Sequence, residues 1–194
     1  MKTISHRRLR RTYNDEGHAH FLTFSCWKRL PLLSKDRSRE WFIEALAKSL
    51  KEYDFGCWAY VIMPEHVHLL VYPHAKEYKM GDWVASLKLL VTHRAVKFLR
   101  QHHPAFLEKL LDRQPNGRQA YRFWQPGGGV DVNLWTVAKI WEKIDYIHNN
   151  PVRRGLVTNP GEWRWSSYRD YASARTVGPV EIDWDTLPED PREK

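Results

Sequence analysis

Apolar and polar positions along the chain alternate with two different periods, and together they predict seven regular segments. Residues 20–27, rich in aromatic and β-branched side chains, predict a first strand. Phe42, Ile43, Leu46 and Leu50 recur at helical spacing and predict a helix over 39–53, capped by Asp36 or Ser38. Gly56 interrupts the pattern. Residues 57–63 and 66–72 then read as two strands of an antiparallel hairpin turning at Pro64-Glu65. Val84, Leu87, Leu90, Val91, Val96 and Leu99 predict a long helix over 83–101. A polar, unpatterned stretch covers 102–119, and 120–125 predicts a fourth strand ended by Pro126-Gly127-Gly128-Gly129. Asn133 opens a last helix to about residue 149, with Pro151 just beyond it as the expected stop. The order β-α-β-β-α-β plus an extra C-terminal helix is the ferredoxin-like pattern, an α+β fold on an antiparallel sheet.

Composition narrows the class. A 194-residue chain with 42% hydrophobic and 13% aromatic residues is expected to build one real core, which excludes wholesale disorder. Its formal charge of +8 favours an acidic partner, most simply nucleic acid, and ten Trp offer either core volume or stacking surface for unpaired bases. Residues 1–13 read as a basic arm, in which Arg7, Arg8, Arg10 and Arg11 are candidates for holding backbone phosphates. The domain is expected over 14–172. A Pro- and acid-rich end, 173–194, is expected as a flexible tail. Cys26 and Cys57 have no metal-type spacing and read as buried thiols of a reducing cytoplasm. With no secretory signal and no apolar run near the roughly 20 residues of a spanning helix, a soluble, cytoplasmic protein is expected, with no membrane partner.

Two sites carry candidate chemistry. On a strand His66 and His68 face one way, a few ångströms apart, which suits a divalent metal; alternatively they line a half-buried strand and are satisfied by neighbours. His18-Ala19-His20 has the same spacing without apolar flanks on its N-terminal side and is read as incidental. Far downstream, Tyr146 and Asn150 share a helix face, where Asn150 could supply an amide oxygen as a third ligand. A phenol, with an ordinary pKa of about 10, becomes a nucleophile when a cation favours its ionised form. Lys143 and Lys139 lie on nearly the same stripe and could stabilise phenolate or phosphate charge; the alternative is a solvated lysine face beside a packing tyrosine. Glu65 and Asp145 are expected to turn away, and His148 to lie on another side of the helix.

At this point the chain resembles a known family. Val61-Ile62-Met63-Pro64-Glu65-His66-Val67-His68-Leu69-Leu70 is similar to the signature of the REP-associated tyrosine transposases, single-tyrosine members of the HUH nuclease superfamily. The blocks Tyr146-Ile147-His148-Asn149-Asn150-Pro151-Val152-Arg153-Arg154-Gly155-Leu156-Val157 and Trp163-Arg164-Trp165-Ser166-Ser167-Tyr168 follow in the family's order, over roughly 18–171. The resemblance implies a transposase. His66, His68 and Asn150 would hold Mg²⁺ or Mn²⁺, and Tyr146 would attack single-stranded DNA beside a REP hairpin. A 5′-phosphotyrosine and a free 3′-hydroxyl would result, so strand transfer needs no nucleotide cofactor. The REP-associated branch also implies a monomer rather than a homodimer. Two rival readings stand beside it: a hairpin DNA- or RNA-binding module that no longer cuts, and a metal-dependent hydrolase in which water is the nucleophile.

Overall fold

The computed structural model describes residues 14–192 of the chain, and Arg7, Arg8, Arg10 and Arg11 lie outside them. The fold is mixed α+β. Strands β1 (Ala19–Ser25), β2 (Phe55–Ile62) and β3 (His66–Pro73) alternate with helices α1 (Asp36–Tyr53) and α2 (Met80–His102). A short helix α3 (Pro104–Leu107) and a small hairpin of β4 (Leu111–Arg113) and β5 (Gln119–Tyr121) come next. Strand β6 (Val130–Leu134), helix α4 (Val137–Arg153) and helix α5 (Tyr168–Ala172) complete the chain. The main sheet has the order β2-β3-β1-β6 with every neighbour antiparallel, so β3 lies between β1 and β2.

Each face of this sheet buries its own cluster, as the period of two requires. Leu22 and Phe24 of β1 and Val67, Leu69 and Val71 of β3 face α1 and α2, where Phe42, Leu46, Trp83 and Leu87 are fully buried against them. Phe21, Val61 and Leu70 face the other way, onto Ile140, Ile144 and Ile147 of α4. Burial of each such aliphatic side chain contributes about 1.5–3 kcal/mol. The α4 isoleucines therefore seat that helix firmly, and its adjoining stripe is held over the sheet.

Several boundaries differ from the sequence reading for local reasons. Residues 120–125 do not form the fourth strand of the main sheet. Only Gln119–Tyr121 is a strand, paired with Leu111–Arg113, while Trp124 makes a single bridge to Cys26. The fourth strand is Val130–Leu134, beyond the glycines, and its Val-Asp-Val-Asn-Leu alternation fits a pleat with one face covered. Helix α4 consequently starts at Val137 and runs through Pro151 to Arg153. Proline is tolerated so near the end because few backbone bonds depend on it; its carbonyl accepts from Leu156 N–H at 2.9 Å. Helix α1 begins at Asp36 with no side-chain cap, and the Ser38 hydroxyl instead donates to the Lys35 carbonyl at 2.7 Å.

The segment expected to be a flexible tail is packed onto the domain. Val180 and Ile182 are buried in the α1–α2 cluster, Asp183 N–H donates to Cys57 O at 2.9 Å, and the Trp141 indole donates to Pro188 O at 3.0 Å. Acid and proline content suggested disorder, but two aliphatic side chains and an edge of β2 outweigh it.

The triple-glycine loop has one position with a defined structural duty. Gly129 holds φ +84°, and a Cβ there would be driven into the Thr23 carbonyl oxygen. Gly129→Ala is expected to destabilise by about 1–3 kcal/mol, read as a lower unfolding midpoint in urea. Gly128→Ala, with open space around its Cβ position, should leave that midpoint nearly unchanged.

Candidate active site

The first turn of β3 and the buried flank of α4 meet over β1. His66 pairs with Ser25 and His68 with Thr23, which turns both imidazoles toward α4. Their Nε2 atoms lie 3.1 Å apart, and both side chains are buried. Each ring is oriented from behind. Glu65 Oε1 accepts a hydrogen bond from His66 Nδ1–H at 3.0 Å, and the Thr23 hydroxyl sits 2.7 Å from His68 Nδ1. A carboxylate can only accept, so His66 is fixed as the Nδ1–H tautomer with its Nε2 lone pair directed inward. Phe21 stacks flat on His68, with centroids 5.6 Å apart and planes 11° from parallel.

From α4, Asn150 brings its amide within 3.2 Å of His68 Nε2, while its other terminal atom, Oδ1, is buried with no hydrogen-bond partner among the described residues. A half-turn of that amide would exchange the two ends and aim the oxygen at the histidines. Two convergent imidazole nitrogens and an orphaned amide oxygen fit a small divalent cation that keeps open positions for solvent or phosphate. Among the described residues, no group of three or more His, Cys, Asp or Glu side chains is placed to hold a metal. The donor set here is two histidines and an amide.

One turn before Asn150, the Tyr146 ring meets His68 edge-on at 5.2 Å and Phe21 at 5.9 Å, and it is only half-buried. The Lys143 ammonium lies 5.8 Å from that ring and the Arg153 guanidinium 5.1 Å from it. Lys139 lies one turn farther along and pairs with Glu142 at 2.6 Å; Lys143 also reaches Glu142, at 3.0 Å. The structure thus brings His66, His68, Asn150, Tyr146 and Lys143 together and leaves Lys139 at the margin. His148 faces elsewhere, as expected, and is held by the Ser167 hydroxyl at 2.9 Å. His18 and His20 do not form a second pair. His18 rests against Trp135, while His20 is engaged by Asp131 and Tyr78 on the opposite face of the sheet.

Glu65 was expected to turn away and does not. It sits in the turn rather than in the strand, so alternation does not govern it, and it joins His66 to Arg154 at 2.9 Å. Although burial pushes its carboxyl up, His66 and Arg154 hold it below the usual carboxylate range. Thr23 also escaped the sequence reading, since nothing local announces that β1 lies beside β3.

Burial favours the neutral form of both imidazoles, the form a metal ligand needs. Burial pushes His68 down to about 3, with the His66 charge adding to the effect, and burial also lowers His66 against the pull of Glu65. His148, by burial alone, is likewise pushed down to about 3. Between about pH 6.5 and 3 the unfolded chain therefore binds more protons at these positions than the folded one, and stability falls as the pH falls. At pH 5 each of His68 and His148 costs about 2 kcal/mol relative to neutral pH. His74 works in the opposite sense. Burial opposes it, but the hydrogen bonds its ring donates to Asp183 and Asp54 raise it, and it is partly exposed, so its effect is smaller. The expected outcome is an unfolding midpoint lower by roughly 10 °C at pH 5 than at pH 7.5 in a calorimetric scan. In His148→Gln that difference should shrink.

This arrangement can be compared with known proteins. No family model matches the sequence. A protein of Haemophilus influenzae named as a candidate REP-associated tyrosine transposase is 28% identical over 153 residues, covering 79% of this chain and 81% of that one. A solved REP-associated tyrosine transposase bound to a REP hairpin has a TM-score of 0.66 at 21% identity, covering 93% of this chain and 97% of that one. The chain resembles the REP-associated tyrosine transposases. That likeness holds in sequence and in fold. A candidate transposase of Deinococcus radiodurans, 20% identical, covers 73% of this chain and 98% of that one with a TM-score of 0.43. Among the described residues, no helix is long and apolar enough to cross a membrane.

Proposed function

We propose that this chain is a REP-associated tyrosine transposase, a metal-dependent nuclease and strand transferase that acts on single-stranded DNA beside a hairpin. The observation that carries this reading is the edge-on approach of Tyr146 to His68 at 5.2 Å, with Asn150 completing the donor set from the same helix. A core tyrosine needs neither two inward-facing imidazoles nor an orphaned amide oxygen beside it. The likeness to transposases adds to that geometry.

His66, His68 and Asn150 would hold Mg²⁺ or Mn²⁺. Bound there, the metal supplies positive charge that polarises and orients the scissile phosphate. The chain's own residues do the rest. Glu65 and Thr23 keep the two imidazoles in register, and Phe21 supports His68 and Tyr146 together. Lys143 and Arg153 set positive charge beside the Tyr146 ring, where it would offset the negative charge of the attacked phosphate. The phenolate oxygen bonds to phosphorus as the bond to the 3′ oxygen breaks, giving a 5′-phosphotyrosine and a free 3′-hydroxyl. Attack by a 3′-hydroxyl on that adduct reverses the step on the same or another strand, which makes the enzyme a transferase without any nucleotide cofactor.

The strand order β2-β3-β1-β6, with β3 between β1 and β2, supports the ferredoxin-like description of the sheet. Histidines and tyrosine come from one chain and already touch, which supports a monomer as the acting unit. Cytoplasmic DNA is the partner this reading requires, and the basic arm would add backbone contacts. The test is a 3′-end-labelled single-stranded hairpin from beside the gene, incubated with protein and Mn²⁺ and resolved on a denaturing gel. Label should migrate with the protein and should stay with the free DNA when a chelator is present.

A further inference from the structure

The chemistry above uses Arg153 and leaves the next residue, Arg154, without a task. Helix α4 ends in a Schellman motif, in which Gly155 N–H donates to Val152 O and Leu156 N–H to Pro151 O, each at 2.9 Å. Gly155 supplies the left-handed backbone this ending needs, at φ +65°. Arg154 is the last residue before that reversal, and its N–H donates to Asn150 O at 3.1 Å. The two consecutive arginines therefore diverge. Arg153 lies against the Tyr146 ring, whereas Arg154 crosses to the turn before β3 and reaches Glu65 Oε1 at 2.9 Å.

That turn is itself pinned, with Cys26 N–H donating to Glu65 O at 2.8 Å and Leu33 N–H to Pro64 O at 2.9 Å. Only 14% of the Glu65 side chain is exposed, so its carboxylate has exchanged much of its water for His66 and Arg154. Both donors meet the same oxygen, Oε1. Arg154 thereby fixes the carboxylate rotation that His66 Nδ1–H has to meet. The contacts close on themselves. From His66 they run through Glu65 and Arg154 to the Asn150 carbonyl. From the Asn150 amide they return through His68 Nε2 to His66 Nε2. All three candidate ligands lie on this ring, and the Arg154–Glu65 pair joins the end of α4 to the β3 turn from outside the ligand set.

We propose that Arg154 is a positioning residue for the divalent metal, acting through Glu65 to hold the His66 imidazole in register with Asn150. The inference rests on the nuclease reading above and deepens it by giving the second arginine a duty. A ligand whose outer partner is lost can rotate, and such losses typically lower metal affinity about 10- to 100-fold.

The test measures Mn²⁺ binding without DNA, from the rise of the unfolding midpoint with Mn²⁺ concentration. Arg154→Met keeps the length of the side chain and removes its donors, and it should raise the dissociation constant about 10- to 100-fold. Arg154→Lys, which keeps a donor and the charge, should recover most of that loss. Because Arg154 is half-exposed at a helix end, the metal-free midpoint should move little in either variant. In protein that already carries Glu65→Ala, Arg154→Met should change the constant by less than about twofold, since the arginine acts through the carboxylate. Native Mn²⁺ affinity in Arg154→Met would overturn the proposal, as would an equal loss with and without Glu65. Native Mn²⁺ affinity together with weaker hairpin binding in chelator would make Arg154 a direct phosphate contact, overturning the proposal and leaving the nuclease reading intact. A native protein whose midpoint ignores Mn²⁺ would remove the metal reading and this inference together.

Discussion

Replacing Tyr146 with phenylalanine is expected to leave a folded protein that still binds hairpin DNA but cuts it at least about a thousand-fold more slowly. The ring can keep its edge contacts with His68 and Phe21, because those involve the ring and not the hydroxyl. Only the nucleophilic oxygen is lost. The unfolding midpoint should therefore move little, and rate and stability separate cleanly in a single variant. The same substitution distinguishes the chemistries left open by the sequence. A metal-dependent hydrolase using water would retain most of its cleavage in Tyr146→Phe, and a pure binding module would show no cleavage to lose.

The second large effect concerns His68. His68→Ala removes one of the two inward nitrogens, leaves the Thr23 hydroxyl without its partner and opens a gap between Phe21 and Tyr146. In the native protein, Mn²⁺ at about 100 times its dissociation constant should stabilise the fold by about 2.7 kcal/mol. That corresponds to roughly 5–10 °C in midpoint. His68→Ala should lose this metal-dependent gain together with cleavage, while His148→Gln, which faces Ser167, should keep it. An equal gain in native and His68→Ala proteins would place the metal elsewhere. The thermal readout matters because it reports metal binding without DNA or catalysis.

Much of this site was legible in the sequence because two short-range periods define it. The period of two placed His66 and His68 on one face, and the helical period placed Tyr146 over Asn150. Only folding could bring those two pairs together, and the resemblance to a family stood in for that long-range information. The residues that hold the site in position were harder to see. Thr23 reaches His68 through a β1–β3 pairing between strands far apart in sequence. Glu65 follows turn geometry, so strand alternation pointed it the wrong way. By residue pattern alone, the aromatic run at 120–125 reads more strongly as a strand than the true edge strand Val130–Leu134, which is short and half exposed. At the C-terminal end, Val180 and Ile182 are two apolar side chains in an acidic, proline-rich context. Composition averages such positions away, although burial at just those two anchors the segment.

Peptide mapping of the DNA adduct by mass spectrometry tests the central claim most directly. Protein incubated with Mn²⁺ and a single-stranded hairpin would be digested with nuclease and protease, and the peptides searched for an added nucleotide. A nucleotide linked through its 5′ phosphate to the peptide containing Tyr146, formed only with metal, is the predicted result. Cleaved DNA with no modified peptide, or a nucleotide on any other residue, would contradict the assignment of Tyr146 as the nucleophile.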